Sequence, residues 1–309
     1  MRAPARLTLY GIGLIAVFAV AFATASAVVP EDAARDWAQD SEGHGGHDAP
    51  ASHDGPGAHE TAPGLGLAQD GYRIADVGSP GAVGEEGELS FLVLEPRGGP
   101  VTDYELEHEH ELHLIVVRAD GQLFRHVHPE RDDHGTWSIP WEWAAGGTYR
   151  LIADFTPASA GKGLTLSTTT QVAGDYSPVP PEPSATATVD GYEVGISGDL
   201  VAGESSELAV TVARDGEPVT DLEPHLGAFG HLVALREGDL AYLHVHPHGD
   251  TPEPGETSGP ETVFTASAPT PGRYLLYLDF RVGGEVRTAP FVLDTTTSTG
   301  HANGGGHDH

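Results

Sequence analysis

The chain has 309 residues and is strongly acidic, with 15 Lys and Arg, 46 Asp and Glu, and a formal net charge of −31. Such a surface repels phosphate backbones, so nucleic acid is excluded as a partner. The absence of cysteine excludes disulfides, thiolate zinc sites, iron–sulfur clusters and cysteine nucleophiles, and the single methionine excludes thioether copper sites.

The N-terminus has the pattern of an export signal. Two arginines in the first six residues precede Leu7–Val29, an uncharged run of 23 residues that is long enough to span a bilayer as a helix. Ala25–Ala27 has the A-x-A pattern of a cleavage site. We expect residues 1–29 to anchor the protein in the membrane, or to be cleaved near Ala27. In both cases the remainder lies on the extracytoplasmic face of the cell envelope.

Two polar segments are predicted to be disordered. Residues 30–67 form a tether that contains four of the 18 histidines, and residues 295–309 form a tail that contains three. Flexible histidine-rich tracts can capture metal cations weakly, although such segments can equally serve only to keep a chain soluble.

The region between these segments is an internal repeat. Pro100–Pro129 matches Pro218–Pro247 at a constant offset of 118 residues, and Gly147–Phe155 matches Gly272–Phe280 farther along. The chain therefore contains two copies of one module, which we place at residues 68–175 and 188–294. The Pro-rich residues 176–187 are predicted to form an extended linker.

Each copy is predicted to contain seven short strands. In the first copy they are Tyr72–Val77, Leu89–Leu94, Leu112–Arg118, Leu123–His128, Thr136–Trp143, Thr148–Phe155 and Leu164–Val172. In the second copy they are Tyr192–Ile196, Leu208–Val212, His231–Arg236, Leu240–His246, Thr262–Ala268, Arg273–Phe280 and Val286–Leu293. This pattern predicts an all-β fold of two tandem immunoglobulin-like β-sandwiches after one N-terminal hydrophobic helix, with a small barrel as the alternative.

A histidine pattern in the first copy suggests a metal site. Asp120-Gly121 is a two-residue hairpin signal, and a hairpin centred there pairs residues whose numbers add up to 241. His113 then lies opposite His128, and His126 shares their face because side chains alternate along a strand. Three neutral imidazoles on one face are suited to Cu(II) or Zn(II).

The second copy repeats the pattern. A hairpin at Gly238-Asp239 pairs residues whose numbers add up to 477, so that His231 faces His246 and His244 lies beside them. The alternative is that these histidines are polar pairs at a solvent-exposed edge. A slip of one residue in either register would move the lone histidine to the opposite face and remove the site.

Several acids near the histidines are candidates for a fourth ligand or for a supporting role. Glu111 lies on the same strand face as His113, and Asp154 and Asp279 occupy matching positions in the two copies. A carboxylate at any of them could bind the ion or orient an imidazole. The dense run Glu107–Glu111 has no histidine-rich counterpart in the second copy, so we treat it as auxiliary.

These segments resemble a known group of proteins. His113–Pro129 with Gly147–Pro157, and Gly230–Pro247 with Gly272–Arg281, are similar to exported two-module proteins of high-GC actinobacteria that are described as heavy-metal-binding or YtkA-like secreted proteins. The resemblance covers about residues 68–294 and the N-terminal hydrophobic segment. It implies a membrane-anchored extracytoplasmic β-sandwich with a role in metal handling. The immunoglobulin-like copper-resistance domains are a looser analogy, because this sequence lacks the methionine ligand of those domains.

Three functions remain open from the sequence. The first is a non-enzymatic protein that sequesters or delivers divalent Cu or Zn through a three-histidine face in each module. The second is a zinc-dependent hydratase or hydrolase, because three histidines leave a coordination position for water. The third is a structural or adhesion β-sandwich that binds no metal.

Overall fold

The computed structural model describes residues 64–243, 245–253 and 255–296, and its regular structure consists of strands. The first module contains ten: β1 Ala68–Gln69, β2 Tyr72–Gly78, β3 Gly87–Leu94, β4 Tyr104–Glu105, β5 His113–Arg118, β6 Arg125–Val127, β7 Glu130–Arg131, β8 Thr136–Trp141, β9 Gly147–Pro157 and β10 Leu164–Val172.

The second module repeats this series with ten more strands. They are β11 Thr186–Val189, β12 Tyr192–Ser197, β13 Ser205–Arg214, β14 Glu217–Pro218, β15 His231–Arg236, β16 Tyr242–Leu243, β17 Val245–Pro247, β18 Glu261–Ser267, β19 Arg273–Val282 and β20 Glu285–Asp294. Strands occur at all fourteen predicted places, with short additional strands between them.

Each module is a sandwich of two antiparallel sheets. In the first module the sheets have the orders β1-β2-β3-β8-β7 and β10-β9-β5-β6, with β4 added to β9. In the second the orders are β11-β12-β13-β18-β17, with β14 added to β13, and β16-β15-β19-β20. The matching orders confirm the repeat at the level of topology, and the fold is two immunoglobulin-like sandwiches in tandem.

Each sandwich has its own apolar core between its two sheets. In the first module Leu114 and Val116 of β5 pack with residues such as Phe91 and Trp137 of the facing sheet. In the second, Leu232 and Ala234 of β15 belong to the core that also contains Phe264 and Phe280. These strand residues follow the alternation that is typical of a strand with one face towards a core.

The opposite faces of β5 and β15 form a third apolar cluster that joins the two modules. Ile115 and Val117 of the first module belong to one cluster with Val233 and Leu235 of the second. The other buried members of this cluster are Ile152, Leu240, Tyr242, Leu275 and Tyr277. Two partly buried residues, Phe124 and Val292, pack against it. Every residue of β5 is buried for this reason, as in sheets that are covered on both sides.

The predicted registers of the two histidine hairpins are confirmed within their ladders, but the predicted two-residue turns are wrong. Leu114 pairs with Val127, and Ala234 pairs with Leu243, as the predicted registers require. Both loops are longer than two residues, as the hydrogen bonds that close them show. Arg118 N donates to Gln122 O in the first module, and Arg236 N donates to Ala241 O in the second. Asp120 and Asp239 close these loops by accepting hydrogen bonds from Arg118 and Arg236.

The predicted N-terminal hydrophobic helix lies outside the described residues, as does most of the predicted tether and tail. Within the described part of the chain, no helix is long and apolar enough to cross a membrane.

We expect Ile152→Ala to destabilise the protein by about 2–5 kcal/mol, because Ile152 is fully buried between the modules and its truncation leaves a cavity. Urea unfolding of the full-length chain followed by tryptophan fluorescence measures this change. Val286→Ala, at a side chain that is 47% exposed, is the control and should change the unfolding free energy by less than about 0.5 kcal/mol. Equal effects of the two substitutions would show that the third cluster contributes little.

Candidate metal centre

Three histidines of the first module converge at one end of the face between the modules. His113 begins β5, His126 lies in β6, and His128 follows it two residues later. One ring nitrogen from each lies within 4.8 Å of the others. His113 Nδ1 is 3.0 Å from His126 Nε2 and 3.0 Å from His128 Nε2. We call these three residues the histidine triad.

Two hydrogen bonds to the outside of the triad orient its rings. His113 Nε2 lies 3.0 Å from the backbone oxygen of Glu107, which can only accept, so this nitrogen carries the proton. His126 Nδ1 lies 2.9 Å from Asp279 Oδ2 and donates to that carboxylate. In the neutral rings, His113 Nδ1 and His126 Nε2 then carry lone pairs and face each other. Two lone pairs that face each other at 3.0 Å repel, and a cation bound between them would remove this repulsion.

The nitrogen spacing fits a transition-metal ion. Two nitrogen ligands bound at about 2.1 Å lie about 3.0 Å apart at a right angle and about 3.4 Å apart at the tetrahedral angle. Both distances from His113 Nδ1 are 3.0 Å, so small movements of the rings accommodate either geometry. The His126–Asp279 bond is the carboxylate–histidine arrangement that commonly supports metal ligands.

Burial keeps the triad in its neutral form. It lowers the pKa of His113 to about 4, that of His126 to about 3 and that of His128 to about 2. Charge repulsion between neighbouring imidazoles lowers the last two further. Burial also raises the pKa of Asp279 to about 6. Near neutral pH the imidazoles therefore present lone pairs, and the Asp279 side chain is predominantly a carboxylate.

A tight turn adds two further histidines beside the triad. Glu107 and His110 exchange backbone hydrogen bonds, and the residues between them, His108 and Glu109, have φ values of 46° and 72°. The ring of His110 stacks on that of His128 at 3.7 Å between centroids. The sequence pattern predicts only an auxiliary role for this segment, yet the turn supplies the Glu107 carbonyl that accepts a hydrogen bond from His113.

The second module has an equivalent turn with different residues. His225 and Ala228 exchange the same backbone hydrogen bonds, with Leu226 and Gly227 at positive φ between them. Glycine adopts this conformation without strain, whereas Glu109 at the matching position does not. The first module thus has a residue with a side chain, Glu109, at a position of positive φ where the second module has glycine.

In the second module the described members of the predicted ligand set, His231 and His246, lie on strands of different sheets. His231 lies beside the triad, with its ring parallel to that of His113 at 5.8 Å between centroids. His246 pairs with Thr265 of β18, because β17 joins the other sheet of its sandwich while β16 remains on β15. The described ladders therefore do not pair His231 with His246. His244 is outside the described residues.

The candidate carboxylates also have distinct positions. Glu111 forms an ion pair with Arg131 at 3.1 Å. Asp154 accepts a hydrogen bond from Thr165 at 2.8 Å. Asp279 alone among the three is bonded to a triad ring in the described structure, and it lies on the second module. The sequence could not assign this contact, because it depends on how the two modules pack.

A family model matches the chain twice. The family described as "Domain of unknown function (DUF8832)" aligns with residues 67–174 and again with residues 187–297. The chain belongs to the DUF8832 family. No curated protein sequence matches this DUF8832 chain.

Several solved structures are similar to the DUF8832 chain at low identity. Invasin, a bacterial integrin-binding protein, is 12% identical over 73% of this chain and 39% of its own, with a TM-score of 0.22. The D0–D1 domain of intimin is 14% identical over 72% of this chain and 97% of its own, with a TM-score of 0.20. Salmonella alpha-2-macroglobulin reacted with methylamine is 14% identical over 76% of this chain and 15% of its own, with a TM-score of 0.26.

We expect the metal-free protein to lose stability as the pH falls from about 6.5 to about 4. The folded pKa of His113 lies below the unfolded value, so the unfolded chain binds more protons in this window and acid favours unfolding. A shift from 6.5 to about 4 corresponds to roughly 3 kcal/mol for this one group. Urea unfolding at a series of pH values, with chelator present, measures the loss.

The matched control for this experiment is His113→Asn, which keeps a polar side chain that does not titrate. Its stability should depend less steeply on pH than that of the wild type. Comparing the two proteins separates the contribution of His113 to the pH dependence of stability from that of Asp279. The raised pKa of Asp279 has the opposite effect, because it stabilises the folded state as the pH falls from about 6 to about 3.8. Parallel pH profiles would contradict the assignment of the acid sensitivity to His113.

Proposed function

We propose that the protein binds a divalent transition-metal ion, Zn(II) or Cu(II), at His113, His126 and His128, and thereby sequesters or delivers that ion. The observation that carries this proposal is the convergence of two lone pairs at 3.0 Å, each directed inward by a hydrogen bond on the far side of its ring. Without a cation this arrangement is repulsive, whereas a bound ion would satisfy both nitrogens.

The donor set favours borderline metals. Imidazole nitrogen is a preferred ligand of Zn(II) and Cu(II), whereas Mg(II) and Ca(II) prefer oxygen. Low pKa values keep the rings available for metal without prior loss of a proton. The net charge of −31 also favours the approach of cations, although salt screens this attraction.

We place this activity on the extracytoplasmic side of the membrane. The support is in the sequence: Leu7–Val29 has the length and apolar character of a membrane anchor or signal, and basic residues precede it. Histidine-rich segments flank the two modules in the sequence, and we propose that they bind ions weakly and pass them to the triad. In this scheme a buried, oriented site retains the ion that the flanking segments collect.

Calorimetric titration with Zn(II) is expected to show one tight site that depends on the triad. The starting protein is the full-length chain in detergent with Ala at the seven histidines of the flanking segments (His44, His47, His53, His59, His301, His307 and His309). His126→Ala should abolish the tight site, because its ring faces both other triad rings. His134→Ala, at an exposed histidine of the same module, is the control. Tight binding that survives His126→Ala would refute the triad.

Asp279→Asn should weaken metal binding by about 10- to 100-fold while leaving the stoichiometry unchanged. The substitution keeps an acceptor for His126 Nδ1 but removes the negative charge beside the imidazole. Asp154→Asn is the matched control, because Asp154 occupies the equivalent position and bonds to Thr165. Competition titration with a chromophoric chelator gives both affinities. Equal losses in the two variants would mean that Asp279 has no special role.

A further inference from the structure

His231 is a partly buried histidine of the second module that the triad does not include. It begins β15 and lies on the face that carries Val233 and Leu235 into the cluster between the modules. Its register partner is Asp279, the residue that holds His126. One face of the second module therefore places an imidazole and a carboxylate next to each other at the triad.

The ring of His231 lies close to two of the three triad rings. Its centroid is 4.9 Å from that of His126 and 5.8 Å from that of His113. Within the triad the three separations are 5.2, 4.8 and 5.0 Å. Imidazoles that bind one ion at about 2.1 Å have centroids roughly 4.5–6.5 Å apart, and both His231 distances fall in this range.

The other nearby histidines fit a ligand position less well. His110 stacks on His128 at 3.7 Å, which is closer than two ligands of one ion can lie. His108 is 6.0 Å from His113 and 5.4 Å from His231, and of the three triad rings only His113 has a described contact with it. His231 contacts two triad rings at separations that suit a shared ion. Its ring nitrogens lie outside the 4.8 Å group that the three triad nitrogens form, so binding the same ion requires a movement of the His231 ring.

We propose that His231 is the fourth ligand of the metal ion, so that the ion is shared between the two modules and holds their facing sheets together. This inference rests on the proposed function above. The first module supplies three nitrogens, and the second supplies one nitrogen and the carboxylate that orients His126. A coordination shell of four imidazoles leaves no position for a metal-bound water in a four-coordinate ion, which favours storage or transfer over hydrolysis.

Two measurements on the full-length chain with the seven flanking histidines replaced test this proposal. The first is the affinity for Zn(II) by chelator competition. His231→Ala should keep one site through the triad but weaken it by about 10-fold or more. His248→Ala, at an exposed histidine of the same module, should leave the affinity unchanged. His231→Asn provides a second variant that preserves polarity if the alanine variant folds poorly.

The second measurement is amide hydrogen exchange with and without Zn(II). In the parent chain zinc should slow exchange in β15 as well as in β5 and β6, whereas in His231→Ala the protection should be confined to the first module. Unchanged affinity and unchanged β15 protection in His231→Ala would overturn the fourth ligand and leave the triad intact. Absence of Zn(II) and Cu(II) binding in the parent chain would instead overturn the proposed function, and the fourth ligand with it.

Discussion

The packing of one sheet of each module against the other is the interaction on which the rest of the structure depends. It buries the outward faces of β5 and β15, which otherwise would expose apolar side chains to water. His113 and His231 begin these strands on the same faces, so the contact between the modules also determines how deeply both rings are buried. Burial in turn keeps the imidazoles neutral and able to bind a metal ion.

The two modules contribute unequally to this site even though their topology matches. The first supplies the triad and a histidine-bearing turn, and the second supplies His231 and Asp279. The turn of the second module has Leu226 and Gly227 where the first has His108 and Glu109. The turn of the first module positions His113, because its Glu107 carbonyl accepts the hydrogen bond from His113 Nε2.

Sequence reasoning found the local geometry and missed what depends on the relation between the modules. The repeat, the strands and the ladders that pair Leu114 with Val127 follow from local patterns of apolar and polar residues. Alternation along a strand shows which side chains share a face, but not what covers that face. The contact of His231 with the triad and the bond from His126 to Asp279 therefore could not be predicted. Turn lengths were also wrong, because an aspartate that bonds to an arginine stabilises a longer loop.

The close approach of His113 and His231 has a consequence for assembly. These residues occupy equivalent positions in the repeat, and contact between equivalent residues is typical of an isologous dimer. Here the two halves of such a dimer belong to one polypeptide, so their association costs no translational freedom, a term of about 4–15 kcal/mol for separate chains. The contact between the halves therefore does not depend on protein concentration.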